Sequence, residues 1–245
     1  MTTTLLLLLL NATPAATGPT ALPAKFEADL VRVTPETRDG KTITFYTDSG
    51  GGLFLTDAAV KRLGLRTEAQ KGQGDQPAMD VVHLPAFKPG AAIPPPLAND
   101  GRIGVMPAAM AAKNGFTEDG MLGEAWFGGR VWTWDYPARR LVLEGSGWKP
   151  DAAATRVPIG LRKGETNFPR ISIRIDGETF DVLLDTGAMT TLKPEALAKL
   201  GDQGPARRAT SMIVDSRFNA WRSRHPDGRV IEGAQGKSNA AMIEV

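Results

Sequence analysis

The sequence predicts an all-β protein with few short helices, and three observations carry that prediction. Its 245 residues include 27 glycines and 18 prolines, a supply of turn-formers that favours many short strands over helical bundles. Between them, apolar and polar residues alternate in short runs, the period of half-buried strands. A segment spanning 40–64 recurs as 177–201, and each copy reads as turn, strand, acidic loop, strand, helix and glycine stop.

In chain order, residues 1–24 are expected to be a secretory leader or a disordered N-terminus. The unbroken apolar run there covers only 5–10, far short of the roughly 18 residues a spanning helix needs, so no stable membrane span is expected. Ala12, Ala15 and Ala16 suit a signal peptidase, although the segment lacks an initial Lys or Arg. A working leader would make the protein periplasmic or secreted; without one it would stay cytoplasmic. Strands are expected at 25–32, 41–46, 131–134 and 141–143, with Pro137 presetting a hairpin turn between the last two. A helix is expected at 56–63, capped by Thr56 or Asp57 and stopped by Gly64. The Pro/Gly-rich stretch 88–96 must be a loop or an edge. Strands resume at 170–175 and 179–184. The organisation expected is a leader to 24, a first lobe over 25–147, a linker over 148–156 and a partial second lobe over 157–245.

Composition narrows the chemistry. A formal net charge of +2 argues against coating nucleic acid or an acidic membrane. The absence of Cys excludes disulfide scaffolds, thiolate zinc sites and thiol nucleophiles. No phosphate loop, dinucleotide fingerprint or nucleophile elbow occurs. His83 and His225 are the only histidines and stand isolated, so neither a metal nor a cofactor is expected. Residues 205–237 carry seven Lys/Arg against three Asp/Glu. That stretch, with Trp221 among Arg217, Arg222 and Arg224, reads as a solvated helix or extended arm, without a nucleic-acid partner.

The repeat carries the chemistry. A shift of 137 positions aligns the two copies without a gap and leaves eight of 25 positions identical, Asp48/Asp185 and Gly50/Gly187 among them. Ser49 meets Thr186, one hydroxyl for another. A lone Asp-Ser/Thr-Gly triplet arises by chance in roughly one chain in ten of this size, but two at equivalent repeat positions would face each other across a pseudo-two-fold axis. Gly50 and Gly187 are expected to permit a sharp backbone excursion after each carboxylate. Ser49 and Thr186 could each bond the opposite loop. Carboxylates about 3 Å apart cannot both ionise. One would then take a proton from water while the other polarises a carbonyl.

On these residues the chain resembles the aspartic peptidases, in the bacterial retropepsin-like group with two such lobes on one chain. The resemblance rests on Tyr46-Thr47-Asp48-Ser49-Gly50-Gly51-Gly52, Asp119-Gly120-Met121-Leu122-Gly123 and Leu183-Leu184-Asp185-Thr186-Gly187-Ala188. It departs from the family at Thr47, where an apolar residue is usual. The resemblance implies aspartic-protease-like barrels and catalysis by Asp48 and Asp185, with Ser49, Gly50, Thr186 and Gly187 supporting the dyad. It further implies that Met121-Leu122-Gly123 crosses behind the catalytic loop before a short helix, and that a flap follows the first triplet. Gly72, Gln73 and Gly74 are the candidates for the flap tip. The expected activity is hydrolysis of a peptide or protein substrate.

The same shift places a second Leu-Gly element near 259–260, beyond Val245. The expectation is one complete lobe and a truncated second one, whose unpaired strand edges would also suit a homodimer. Two other functions are compatible with these residues: a catalytically inactive peptide-binding module of the same fold, and a carboxylate-pair glycosidase. Carboxyl spacing separates the glycosidase, which needs about 5 Å or more.

Overall fold

The computed structural model describes residues 18–72, 78–97, 99–113, 115–160, 168–201, 203–231 and 242–243. Strands dominate, as expected. The first half contains β1 (Thr20–Ala21), β2 (Ala24–Glu27), β3 (Leu30–Val33), β4 (Phe45–Thr47), β5 (Phe54–Thr56), α1 (Asp57–Leu63), β6 (Thr67–Gln70) and β7 (Met79–His83). It continues with β8 (Arg102–Met106), α2 (Ala108–Lys113), β9 (Gly120–Leu122), α3 (Glu124–Phe127), β10 (Trp132–Asp135) and β11 (Arg140–Leu143). Eight of these strands form one mixed sheet in the order β2-β3-β4-β9-β5-β8-β7-β6, and β1-β11-β10 form a second. The all-β architecture with few short helices is as expected; among the described residues neither sheet closes into a barrel. Beside β2, Arg139 of the β10–β11 turn donates to the Phe26 carbonyl.

Local chemistry explains the elements. The α1 cap is as expected: the Thr56 hydroxyl accepts from the Ala59 N–H, and Gly64 closes the helix at φ 69°. The strand expected at 25–32 is instead a hairpin, because Ala28 and Asp29 take left-handed conformations (φ 49° and 61°) and turn β2 back onto β3. Neither is glycine, so the sequence does not advertise the turn. The 41–46 strand is shorter than expected, with only Phe45–Thr47 in the ladder. Residues 88–96 form a loop pinned by Trp126, whose indole N–H donates to the Pro94 carbonyl at 2.8 Å. The leader boundary at 24 falls inside the fold. Thr20–Ala21 pairs with β11 and Leu22 is buried in the core.

That core lies under the central strands. Val31, Val33, Phe45, Leu55, Ile103, Leu122, Trp126 and Leu141 are all buried and mutually packed. Each large side chain of this kind contributes about 1.5–3 kcal/mol of burial, which makes the first half the stable platform of the molecule.

The second half contains β12 (Arg170–Ile175), β13 (Glu178–Leu183), β14 (Met189–Thr191), α4 (Pro194–Leu200), β15 (Arg207–Ala209), α5 (Asp215–Arg224), β16 (Val230–Ile231) and β17 (Met242–Ile243). Among the described residues they pair two by two, as β12-β13, β14-β15 and β16-β17. The 137-residue shift survives folding. It maps α1 onto α4 residue for residue, Gly64 onto Gly201 (φ 66°), and Gly40 (φ 86°) onto Gly177 (φ 79°). The basic stretch is partly the solvated helix expected: α5 buries Trp221 edge-on against Phe180. Arg207, however, points inward to Glu118 of the first half, a correction to a wholly solvent-facing arm. His225 is not isolated either, since its Nε2 lies 3.2 Å from Asp176.

Candidate active site

Asp48 follows β4 and Asp185 follows β13, each at the start of a tight turn. The Asp48 N–H donates to the Leu122 carbonyl at 3.1 Å, because β9 runs parallel beside β4 with Tyr46 opposite Met121 and Thr47 opposite Leu122. The Met121-Leu122-Gly123 element therefore crosses behind the loop. It passes so close that a Cβ on Gly123 would lie 2.0 Å from the Gly52 carbonyl oxygen. Thr47, polar where an apolar residue is usual, is fully buried and satisfied by donating to the Val31 carbonyl at 2.8 Å.

The two turns meet and lock reciprocally. The Ser49 N–H donates to the Thr186 hydroxyl at 3.1 Å, and the Thr186 N–H donates to the Ser49 hydroxyl at 3.0 Å. The Ser49 hydroxyl in turn donates to the Leu184 carbonyl at 2.5 Å. Each aspartate is aimed by its own turn: Asp48 Oδ1 accepts from the Gly50 N–H at 2.8 Å, and Asp185 Oδ1 from the Gly187 N–H at 2.9 Å. Each carboxyl lies against the opposite turn, Asp185 beside Gly50 and Asp48 beside Gly187. Burial, then the hydrogen bond and charge of Asp185, raise the Asp48 carboxyl well above the usual carboxylate range, against a smaller opposing effect of the Gly50 N–H.

Gly50 and Gly187 serve a different purpose from the one expected. Neither has a positive φ; what each provides is room. A Cβ on Gly187 would sit 2.5 Å from both Cβ and Cγ of Asp48, and one on Gly50 would sit 2.9 Å from Asp185 Cγ. Only a hydrogen at these positions lets the turns approach closely enough for the carboxyls to meet.

Gly72 lies exposed just after β6, in the connection to its antiparallel partner β7. Gln73 and Gly74 lie outside the described residues. Among the described residues no cluster of three or more His, Asp or Glu could hold a metal, and no helix is long and apolar enough to cross a membrane.

Sequence reasoning missed the groups that clamp the halves beneath the turns. Glu118, with its side chain only 3% exposed, accepts from Arg32 at 2.8 Å and from Arg207 at 2.9 Å. Tyr46 is buried between those guanidiniums, with its hydroxyl 2.7 Å from the Gly187 carbonyl. Separations of 86 and 89 residues leave the ion pairs no local sequence signal. Tyr46 could have been noticed, because it breaks the repeat opposite Leu183. Comparison with protein-family models, curated proteins and solved structures returns no match.

Proposed function

We propose that the protein is an aspartic-type endopeptidase that hydrolyses peptide bonds with a water held between Asp48 and Asp185. The observation that carries this reading is the reciprocal bonding of the two turns through their hydroxyls and amides, which sets each aspartate against the glycine of the opposite triplet. The pair retains one proton, since like charges in contact cannot both ionise. The ionised member removes a proton from the water, whose oxygen attacks the carbonyl carbon. The protonated member donates to the carbonyl oxygen. Collapse of the tetrahedral diol then breaks the C–N bond, and a proton passes to the leaving amine. Atoms balance as peptide plus water giving acid plus amine. A glycosidase, whose carboxyls stand about 5 Å or more apart to leave room for a sugar carbon or a water in line, would not need the reciprocal bonds that draw these two turns together.

One observation favours the second reading, an inactive peptide-binding module. Among the described residues β13, which delivers Asp185, pairs only with β12, whereas β4, which delivers Asp48, lies between β3 and β9. Cleavage of an unbiased peptide library distinguishes the two. On the peptidase reading the wild type cleaves in mild acid and Asp185→Asn does not. Equal cleavage by both discards the assignment, and binding without cleavage by the wild type selects the module.

A further inference from the structure

Tyr46 stands two residues before Asp48 on β4, and its repeat counterpart is Leu183, two residues before Asp185. Both side chains lean on the opposite triplet's glycine, but with different chemistry. Leu183 offers only a methyl, its Cδ2 2.9 Å from where a Gly50 Cβ would be. Tyr46 offers a phenol that donates to the Gly187 carbonyl at 2.7 Å. The adjoining Gly187 N–H holds Asp185 Oδ1 at 2.9 Å, and the Gly187 Cα packs against Asp48. This one glycine therefore connects the phenol to both carboxyls.

We propose that Tyr46 is a positioning residue for the Asp48–Asp185 pair, its phenol setting the separation and orientation of the two carboxyls by anchoring Gly187. The phenol is aimed by its surroundings. Phe116 meets the ring edge-on at 6.3 Å. Arg32 and Arg207 lie 6.0 and 5.5 Å from the ring centroid, both bonded to Glu118. Because Arg207 belongs to the second half, the Glu118 link fixes that half's position on the ring. Burial, followed by the Asp48 charge, raises the phenol above its ordinary value, so it remains a donor throughout the range in which carboxyls titrate. The proposal rests on the peptidase reading for its kinetic test, but not for its titration test.

The test compares wild type with Tyr46→Phe, which removes one oxygen and keeps the ring. Carboxyl carbons of Asp48 and Asp185 are titrated by NMR, and peptide turnover is followed across pH. The expected result is a folded variant whose two apparent carboxyl pKa values move closer together. Turnover, where the wild type has it, should fall about tenfold in kcat with KM little changed, the equivalent of one lost hydrogen bond. Unaltered carboxyl titration in a folded Tyr46→Phe overturns the proposal. A wild type that shows the coupled titration but no turnover overturns the peptidase reading alone. Should the variant not fold, the wild type decides: a resolved, exchange-protected Tyr46 hydroxyl proton supports the anchor, and rapid exchange with water overturns it.

Discussion

Replacing Gly187 by Ala tests the close approach on which the site depends. Gly187 has no positive φ, so alanine imposes no backbone penalty there and the entire effect is steric. The new methyl would lie 2.5 Å from Asp48 Cβ and Cγ, where ordinary contact begins at 3.4 Å, so the turns must separate by about 0.9 Å. Overpacking of that kind costs about 1–3 kcal/mol, read as a lower urea midpoint at constant m-value. The chemical effect is larger, because a displacement of about 1 Å in a reacting constellation costs on the order of a hundredfold in rate. Gly177→Ala provides the contrast: it sits at φ 79° with nothing within 4 Å, so it costs about 1 kcal/mol of strain and leaves the rate alone. Initial rates of peptide hydrolysis and urea unfolding of both variants are the measurements. A Gly187→Ala protein within twofold of the wild-type rate would refute the idea that glycine is there for proximity.

Three further outcomes follow from the contacts. Ser49→Ala orphans the Leu184 carbonyl and the Thr186 N–H and should cost about 2–4 kcal/mol; combined with Thr186→Ala the losses should fall short of additive, since the two residues bond each other. Asp48→Asn should stabilise the protein at pH 8 by about 1–3 kcal/mol, because a carboxyl whose folded pKa is raised contributes most in acid and loses that contribution as pH rises through the folded value; thermal melts at pH 4 and 8 check that the gain is confined to the higher pH. Glu118 has the opposite sign: burial would raise its carboxyl, but bonds from Arg207 and Arg32 outweigh burial and hold it at about 2. It should therefore contribute about 2–3 kcal/mol, after allowance for the partly exposed arginines, that is present above its unfolded value and lost as pH falls through about 2; Glu118→Gln should remove this at neutral pH but change little at pH 2.

Much of the site was legible because the repeat is local chemistry written twice. Asp, hydroxyl and glycine at a constant 137-residue offset required only that the two repeated segments take the same local structure, and α1 and α4 match residue for residue. The crossing of Met121-Leu122-Gly123 behind the Asp48 loop was expected only through the family resemblance. What escaped was set by packing between distant segments. Ala28 takes a left-handed turn with no glycine to announce it, and its carbonyl accepts from the Ala209 N–H at 3.0 Å, a contact between the halves. Arg207 appeared as one cation in a basic run, yet it is committed to Glu118 by a pairing that no spacing encodes.

The two aspartates share a motif but not a support, and that difference explains how the halves depend on each other. Asp48 stands on β4, fully buried between β3 and β9. A Cβ on Gly51 would lie 2.6 Å from Asp48 Cγ and Oδ2 and from Met121 Sδ; its counterpart Ala188 carries that methyl. The Asp185 strand is only half-buried; its own half supplies the Pro169 carbonyl to the Leu184 N–H and the Thr210 N–H to the Ala188 carbonyl, and three further contacts on its turn come from the first half. They are the Ser49 hydroxyl on Leu184, the Ser49 N–H on Thr186 and the Tyr46 phenol on Gly187. Remove them, and Asp185 keeps its own turn but loses its place opposite Asp48. Duplication therefore supplied two carboxyls, whereas their approach comes from the reciprocal Ser49–Thr186 bonds, to which the first copy adds the Ser49 hydroxyl on Leu184 and the Tyr46 phenol on Gly187.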